Sequence, residues 1–498
     1  MMLPSLSISQ LQERLERSED TARSLCQNYL DQIAAIDASG PTLRSVVEVN
    51  PDALDIAVSL DQERSTHGPR GPLHGIPFLV KDSIDTGDRM VTTGGSMALL
   101  KNRAPSDAFC VQQLRQAGAV LLGKTNMSEW GYMRSTRACS GWSSRGGQTK
   151  NPYVLNRNPL GSSSGSGVAV AANLCSFSLG AEVDGSIVRP ASSNGIVGLK
   201  PTVGLISRQG VIGVAEPQDT VGPMARSVQD VATILGALVG VDPNDPSTER
   251  GADFTTTDYC EFLDCDALQG VRLGVARECC GSHEGTLKVL DEAIETLKRL
   301  GATIVDPIQS SSLPFFGELE LELFLYGVKE NIDHYLATHP NAGVRNLNEL
   351  IAFNREHADT VMPYFQQEFF ELAASKESWD SPRCQEVIQE LRRLGRTDGI
   401  DKALKDHQLD AIIAPTEGTP PFAIDPLVGD NLKPFGCSTP PAVAGYPHIT
   451  VPAGFVHELP VGLSFYSTAF TEPKLLAYAF AFEQARQARR DPQFLPTI

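Results

Sequence analysis

Apolar positions along the chain alternate between helical spacing and short unbroken runs, and this alternation predicts an α/β protein. Between Ser7 and about Ala35, Leu11, Leu15, Leu25, Leu30 and Ile33 recur at helical spacing, and Ser7 or Ser9 is placed to cap the first turn. The chain is therefore expected to open with helices that pack on the outside of the later elements. GPLHGIPFLVKDSI, from Gly71 to Ile84, reads as a Pro/Gly turn feeding an apolar strand with a lysine near its end. AFCVQQLRQAG followed by AVLLGKTN, ending at Asn126, predicts a helix, a glycine stop and a buried strand. VAVAANLC then predicts a short helix, and SFSLGAEV a strand entering a tight turn at Asp184-Gly185-Ser186. Thr286 to Leu300 reads as a helix stopped at Gly301 before the strand ATIVDP. The region from Glu318 to Ala374 reads as mainly helical, and its acid-rich start, Glu318 to Phe324, as a solvated helix face. LDAIIAPTEG, HITVPAGF and PVGLSFYS return to strands before a closing helix, KLLAYAFAFEQARQAR.

No internal repeat and no long linker interrupts this order, so residues 1–60 are expected to form a helical segment packed on a single mixed α/β domain spanning 61–498. With 41% hydrophobic and 20% charged residues, the chain has the means to bury a large core. Its formal net charge of −18 repels polyanions and anionic lipid surfaces, which argues against nucleic-acid and membrane partners. The first twenty residues lack a basic segment followed by an apolar run, and no apolar stretch of about 18 residues occurs, so a soluble, cytoplasmic protein is expected. The ten cysteines are scattered without CxxC pairs or histidines in ligand spacing, and the nine histidines include no HExxH. Free thiols, no metal and no cofactor are the expectation.

One stretch does not fit a purely structural reading. GSSSGSG, Gly161 to Gly167, interrupts the α/β run between a polar loop and an apolar helix, which is not where a spacer lies. A phosphate loop needs a lysine and a hydroxyl after its last glycine, but Val168 and Ala169 stand there. What remains is either a turn of small residues opening a helix or a set of serines held for chemistry. A serine needs a base to attack a carbonyl, and no histidine lies near this stretch. Lys81, after the apolar run Ile76 to Val80, is a candidate, because burial disfavours its charged form. Most lysines at strand ends are nonetheless only solvated or paired charges.

Taken in order, GIPFLVKDSI, GKTNMSEWGYMRSTR, SGWSSRGGQTKNPYV, GSSSGSG, DGSIVRPASSNGIVGLKPTVG, DTVGPMARSVQD and AGYPHITVPAG resemble the amidase signature family across most of the chain beyond about residue 60. GWSSRGGQTKNPY with GSSSGSGVAVAANL is most similar to its peptide amidase branch, whose members cleave C-terminal amides of peptides. The resemblance implies the amidase signature fold, a large mixed β-sheet flanked by helices on both faces. It also implies a Ser-cisSer-Lys triad, with Ser186 as nucleophile, Ser162 as the bridging serine after a cis peptide bond, and Lys81 as base. Backbone N–H groups of Val183, Asp184, Gly185 and Ser186 would receive the oxyanion, and Ser163 would hydrogen-bond Lys81. Many members carry an arginine two residues after the nucleophile; here Val188 holds that position and Arg189 follows. The implied substrate is a small-molecule or peptide amide, cleaved without a cofactor. A glutaminase-type subunit of a transamidating complex and a catalytically silent scaffold are the alternatives. Substrate selection is expected in 310–380 and around 417–440. His74 reads as a loop or packing residue, and NMSEWGYM, 126–133, as either cleft wall or core.

Overall fold

The computed structural model of the chain describes residues 5–308, 316–430 and 436–498. Its centre is an eleven-stranded mixed sheet. From one edge to the other the strands are Val46–Val49, Val120–Thr125, Pro77–Lys81, Phe177–Glu182, Thr220–Ala225, Val197–Lys200, His448–Val456, Leu459–Tyr466, Ala411–Pro415, Arg272–Val275 and Thr303–Val305. Pro77–Lys81 runs parallel to both of its neighbours, and Arg272–Val275 does the same near the far edge, while the remaining pairs are antiparallel.

The strand Pro77–Lys81 is apolar without alternation because both faces of the sheet are covered there. Phe78 and Val80 join the core on one face, with Phe78 stacked on Phe177 at 5.3 Å and the helices Phe109–Gln116, Val228–Leu238 and Glu472–Arg486 packed over them. Leu79 joins the opposite core, where Val168 to Ala171 of the helix Ser164–Ala171 and the helix Ala22–Gln32 lie. Side chains alternate along a strand, so Lys81 emerges on the same side as Leu79, under the start of the helix that grows out of the Gly/Ser stretch.

The anticipated strands and helices recur close to their expected bounds, including Val120–Thr125, Phe177–Glu182, Glu284–Arg299 and Glu472–Arg486. Ser7 caps Ile8–Glu16, accepting from the Gln10 N–H while the Gln10 side chain returns to the Ser7 N–H. The first sixty residues are not helical throughout: Val46–Val49 is an edge strand of the main sheet, and the helix Ala53–His67 runs across residue 60. The Gly/Ser stretch is itself partly helical, since the helix begins at Ser164.

The acid-rich segment departs from its expectation. Within the helix Phe316–Thr338, Glu318 is exposed and Glu322 pairs with Arg383, but Glu320 is 6% exposed. Two residues along a helix turn a side chain about 200°, so Glu320 faces inward while its neighbours face water. Among the described residues no helix is long and apolar enough to cross a membrane, and no group of three or more His, Cys, Asp or Glu is placed to hold a metal ion.

Candidate active site

Lys81 ends its strand 3% exposed, with its ammonium donating to Ser162 Oγ at 2.7 Å and to the Ala181 carbonyl at 2.8 Å. Burial pushes its pKa down to about 7, against the pull of Glu182 and Asp219, whose charges favour the protonated form. Ser162 lies 3.0 Å from Ser186 Oγ, so one amine and two hydroxyls form a continuous hydrogen-bonded line. The Gly161–Ser162 peptide bond is cis. A side chain at Gly161 would collide with Ser128 Oγ, so only glycine fits. The loop is pinned further by Ser128 N–H on the Ser162 carbonyl at 3.1 Å and by Ser163 N–H on the Ser186 carbonyl at 3.0 Å. Ser162 and Ser186 are thus held relative to each other by backbone as well as by their side chains.

Ser186 sits on the turn between the strand Phe177–Glu182 and the helix Val188–Ser193. Gly185 has φ +72°, and a Cβ there would run into the Arg189 side chain. The turn holds its shape through Glu182, whose buried carboxylate accepts the N–H groups of Ile187 (2.5 Å) and Val188 (3.1 Å). By contrast, the N–H groups of Val183, Asp184, Gly185 and Ser186 meet no acceptor among the described residues. Four adjacent unpaired donors beside a hydroxyl are an arrangement that can receive negative charge. From behind, Gln218 Nε2 reaches the Val183 carbonyl (3.3 Å) and Glu320 Oε1 (2.8 Å), and Thr439 Oγ1 donates to Asp184 Oδ2 at 2.7 Å. Burial, reinforced by the charge of Asp184, raises the Glu320 carboxyl well above the usual range.

Ser163 is arranged differently from its expected contact with Lys81. Its hydroxyl donates to the Ala181 carbonyl at 3.2 Å and accepts from the Ala181 N–H at 3.3 Å. It meets Lys81 only through that shared carbonyl. Arg189, one position beyond where the resemblance expects an arginine, pairs with Glu417, with one contact at 3.2 Å and a closer one through Nε. His74 is buried with Nε2 2.9 Å from the Leu60 carbonyl, a packing role.

The line opens into a cavity of about 530 Å³. Lys81, Ser162, Val183 and Ser186 lie at one side of it, and Trp130, Val328, Ile332, Phe370 and Trp379 supply apolar wall. Met127, Trp130 and Gly131 place part of the NMSEWGYM stretch in that wall. The selectivity region proposed for 310–380 contributes through its helices, whereas no described residue of 417–440 lines the cavity. Residues 310–315 and 431–435 of those two regions lie outside the described residues. Sequence reasoning missed Glu182, Gln218 and Glu320; an acid closing the apolar strand SFSLGAE was the available signal for Glu182.

Comparison with known proteins places the chain among the hydrolases that act on amide bonds. The amidase family model matches residues 25–476, and the chain belongs to the amidase signature family. It is 46% identical to the native peptide amidase from Stenotrophomonas maltophilia, whose crystal structure matches with a TM-score of 0.93 over 98% of each chain. A probable amidase of Arabidopsis thaliana is 40% identical over 486 residues, 95% of this chain and 89% of that protein. A glutamyl-tRNA(Gln) amidotransferase subunit from Thermoanaerobacter pseudethanolicus is 33% identical, covering 99% of both chains.

Proposed function

We propose that the chain is a serine amidohydrolase that cleaves a carboxamide, a C-terminal peptide amide or a related small amide, through Lys81, Ser162 and Ser186. The observation that carries this reading is the line Lys81 Nζ, Ser162 Oγ, Ser186 Oγ at 2.7 and 3.0 Å, ending beside four unpaired backbone N–H groups. With Lys81 neutral, its nitrogen takes the Ser162 proton as Ser162 takes the proton of Ser186, and Ser186 Oγ bonds to the amide carbon. The carbonyl oxygen becomes an oxyanion among the N–H groups of Val183 to Ser186, where one well-placed donor contributes about 3 kcal/mol. The C–N bond then breaks, and the same line run in reverse delivers the proton to the departing ammonia or amine. Water attacks the acyl-serine by the same route and releases the acid. Ser163 supports Lys81 by fixing the Ala181 carbonyl that both groups use.

The likeness to a peptide amidase over nearly the full length of both chains supports a peptide amide as substrate. The amidotransferase among the relatives favours a second reading, a glutaminase-type subunit that passes ammonia to partner proteins. A panel of primary amides and amidated peptides, assayed for ammonia with the isolated chain, separates the two. Hydrolysis of non-glutamine amides supports the amidohydrolase, and activity confined to glutamine rejects it. Ser186→Ala should abolish turnover, and a fluorophosphonate probe should label Ser186. Turnover persisting in the variant, or a folded chain that takes no label, overturns the mechanism.

A further inference from the structure

The charges around the cavity do not balance. Arg208 is held by Asp245 at 2.8 and 3.0 Å, His339 Nε2 lies 3.0 Å from Asp85 Oδ2, and Lys81 donates to Ser162 and the Ala181 carbonyl, so these three basic groups of the lining are engaged elsewhere. Asp219 also lines the cavity, but its carboxylate is met by backbone alone, with the Val214 N–H at 2.9 and 3.1 Å from its two oxygens. No Lys, Arg or His among the described residues forms an ion pair with it, and Arg208 acts on it only through its charge. Exposed Glu330 adds a further negative charge at the same cavity.

A second, independent feature lies on the same walls. Trp130 Nε1 and Ser83 Oγ have no hydrogen-bond partner among the described residues, although these residues are only 4% and 2% exposed. Buried polar atoms are nearly always satisfied, and those left open on a cavity wall mark where a ligand supplies the partner. The residues lining the cavity therefore include an anion without an ion-pair partner and two side chains with unsatisfied polar atoms, set against the apolar wall of Val328 and Phe370.

We propose that this cavity selects carboxamides whose acyl portion carries a positive charge, with Asp219 taking the cation and Ser83 Oγ and Trp130 Nε1 hydrogen-bonding polar groups beside it. The substrates are amino-acid amides or short amidated peptides bearing a free amino group or a basic side chain. This selection rests on the amidohydrolase reading and gives it a chemical class of substrate. It also couples binding to chemistry, because the negative charge of Asp219 favours protonated Lys81. A cation seated on Asp219 cancels that field and releases the base as the substrate arrives.

The test compares kcat/KM of the unmodified chain on matched amides. One arm sets lysine amide, acetylated at its α-nitrogen, against the acetylated norleucine amide. A second sets free leucine amide against its acetylated form, and a third uses an acetylated glutamate amide. In at least one of the first two arms the cationic amide should exceed its neutral partner by about tenfold or more, and which arm does so tells whether side chain or amino group is read. The glutamate amide should be the poorest. Folded Asp219→Asn should reduce the preference to near one, read as the ratio of kcat/KM on cationic and neutral amides whatever its effect on the absolute rates. Equal or reversed preferences in the unmodified chain, or an undiminished preference in folded Asp219→Asn, overturn the proposal. The panel decides the matter even where the variant does not fold. Hydrolysis of the neutral amides that is lost in Ser186→Ala upholds the amidohydrolase reading even if the charge preference fails.

Discussion

Two lysines at strand ends, Lys81 and Lys200, meet nearly the same physics and differ in what stands at the amine. Both are buried, and burial pushes Lys81 down to about 7 and Lys200 to about 8. Both feel Glu182, whose charge opposes the effect of burial on each of them. Lys200 donates to the Pro201 carbonyl at 3.2 Å, and no hydroxyl leads on from it. Lys81 donates to a serine that touches a second serine at the mouth of a cavity. Burial alone thus makes an amine that can be neutral near pH 7. Converting that amine into a base for a reaction takes an adjacent hydroxyl with somewhere to pass its proton. Lys200 instead acts on Glu182, the carboxylate that holds the Ile187 and Val188 N–H groups behind Ser186.

The widest gap between these lysines should appear on truncation. Lys81→Met is expected to lower kcat/KM by about 10⁴-fold, the scale seen when one member of a catalytic unit is removed. Lys200→Met should stay within about tenfold in rate and lose about 2 kcal/mol of stability, since it leaves Glu182 buried without its nearby cation. Parallel kinetics and thermal unfolding of the two variants measure the contrast. Equal losses of rate would erase the distinction.

The pH dependence sharpens the same comparison. The neutral fraction of Lys81 grows as pH rises through about 7, so the acylation rate should climb about tenfold from pH 6 to its plateau. A profile flat from pH 6 to 9 would exclude this amine as the base. Stability carries its own signature. From about pH 7 to its ordinary value of 10.5, the Lys81 amine binds more protons unfolded than folded. The cost of burying it is therefore full below pH 7 and fades as pH rises toward 10.5. Lys81→Met should flatten that rise in unfolding free energy, as read from denaturant titrations at several pH values.

Behind the turn, Gln218 links the Val183 carbonyl to buried Glu320 and has no counterpart near Lys200. Gln218→Leu removes both bonds without touching the line of hydroxyls. Its expected effect is about a tenfold fall in kcat with little change in KM, because the turn donors would be misplaced only for the developing oxyanion. An equal rise in KM with kcat unchanged would instead make Gln218 a binding residue.

What the sequence made legible was local. The apolar run before Lys81, the glycines of GSSSGSG and the Asp-Gly-Ser turn each carry their conformation in neighbouring residues. Period-two alternation also tells which face Lys81 takes once the strand is known. Other features depend on partners far away in the chain. Glu320 reads as a surface acid until Gln218, 102 residues earlier, is found beside it, and Arg189 meets Glu417 across 228 residues. Val46–Val49 is equally hidden, since four residues become a strand only by pairing with Val120–Thr125. Asp219 shows its significance only when the cations of the cavity prove to be paired elsewhere.

The smallest expected effect tests the finest part of the comparison, the carbonyl that Lys81 shares with Ser163. Ser163→Ala deletes the hydroxyl that donates to the Ala181 carbonyl but keeps the Ser163 N–H on the Ser186 carbonyl, so the backbone around Ser186 is retained. Lys81 keeps both of its own contacts, to Ser162 and to Ala181. The variant loses one of two donors on the Ala181 carbonyl and the acceptor of the Ala181 N–H, both long bonds whose net contribution together is on the order of 1 kcal/mol. Activity should therefore fall by less than about tenfold, with the midpoint of the pH–rate profile unmoved. A fall of a thousandfold, or a midpoint shifted by a full pH unit, would put the Ser163 hydroxyl in direct contact with the amine during the reaction and make it part of the proton path rather than its support.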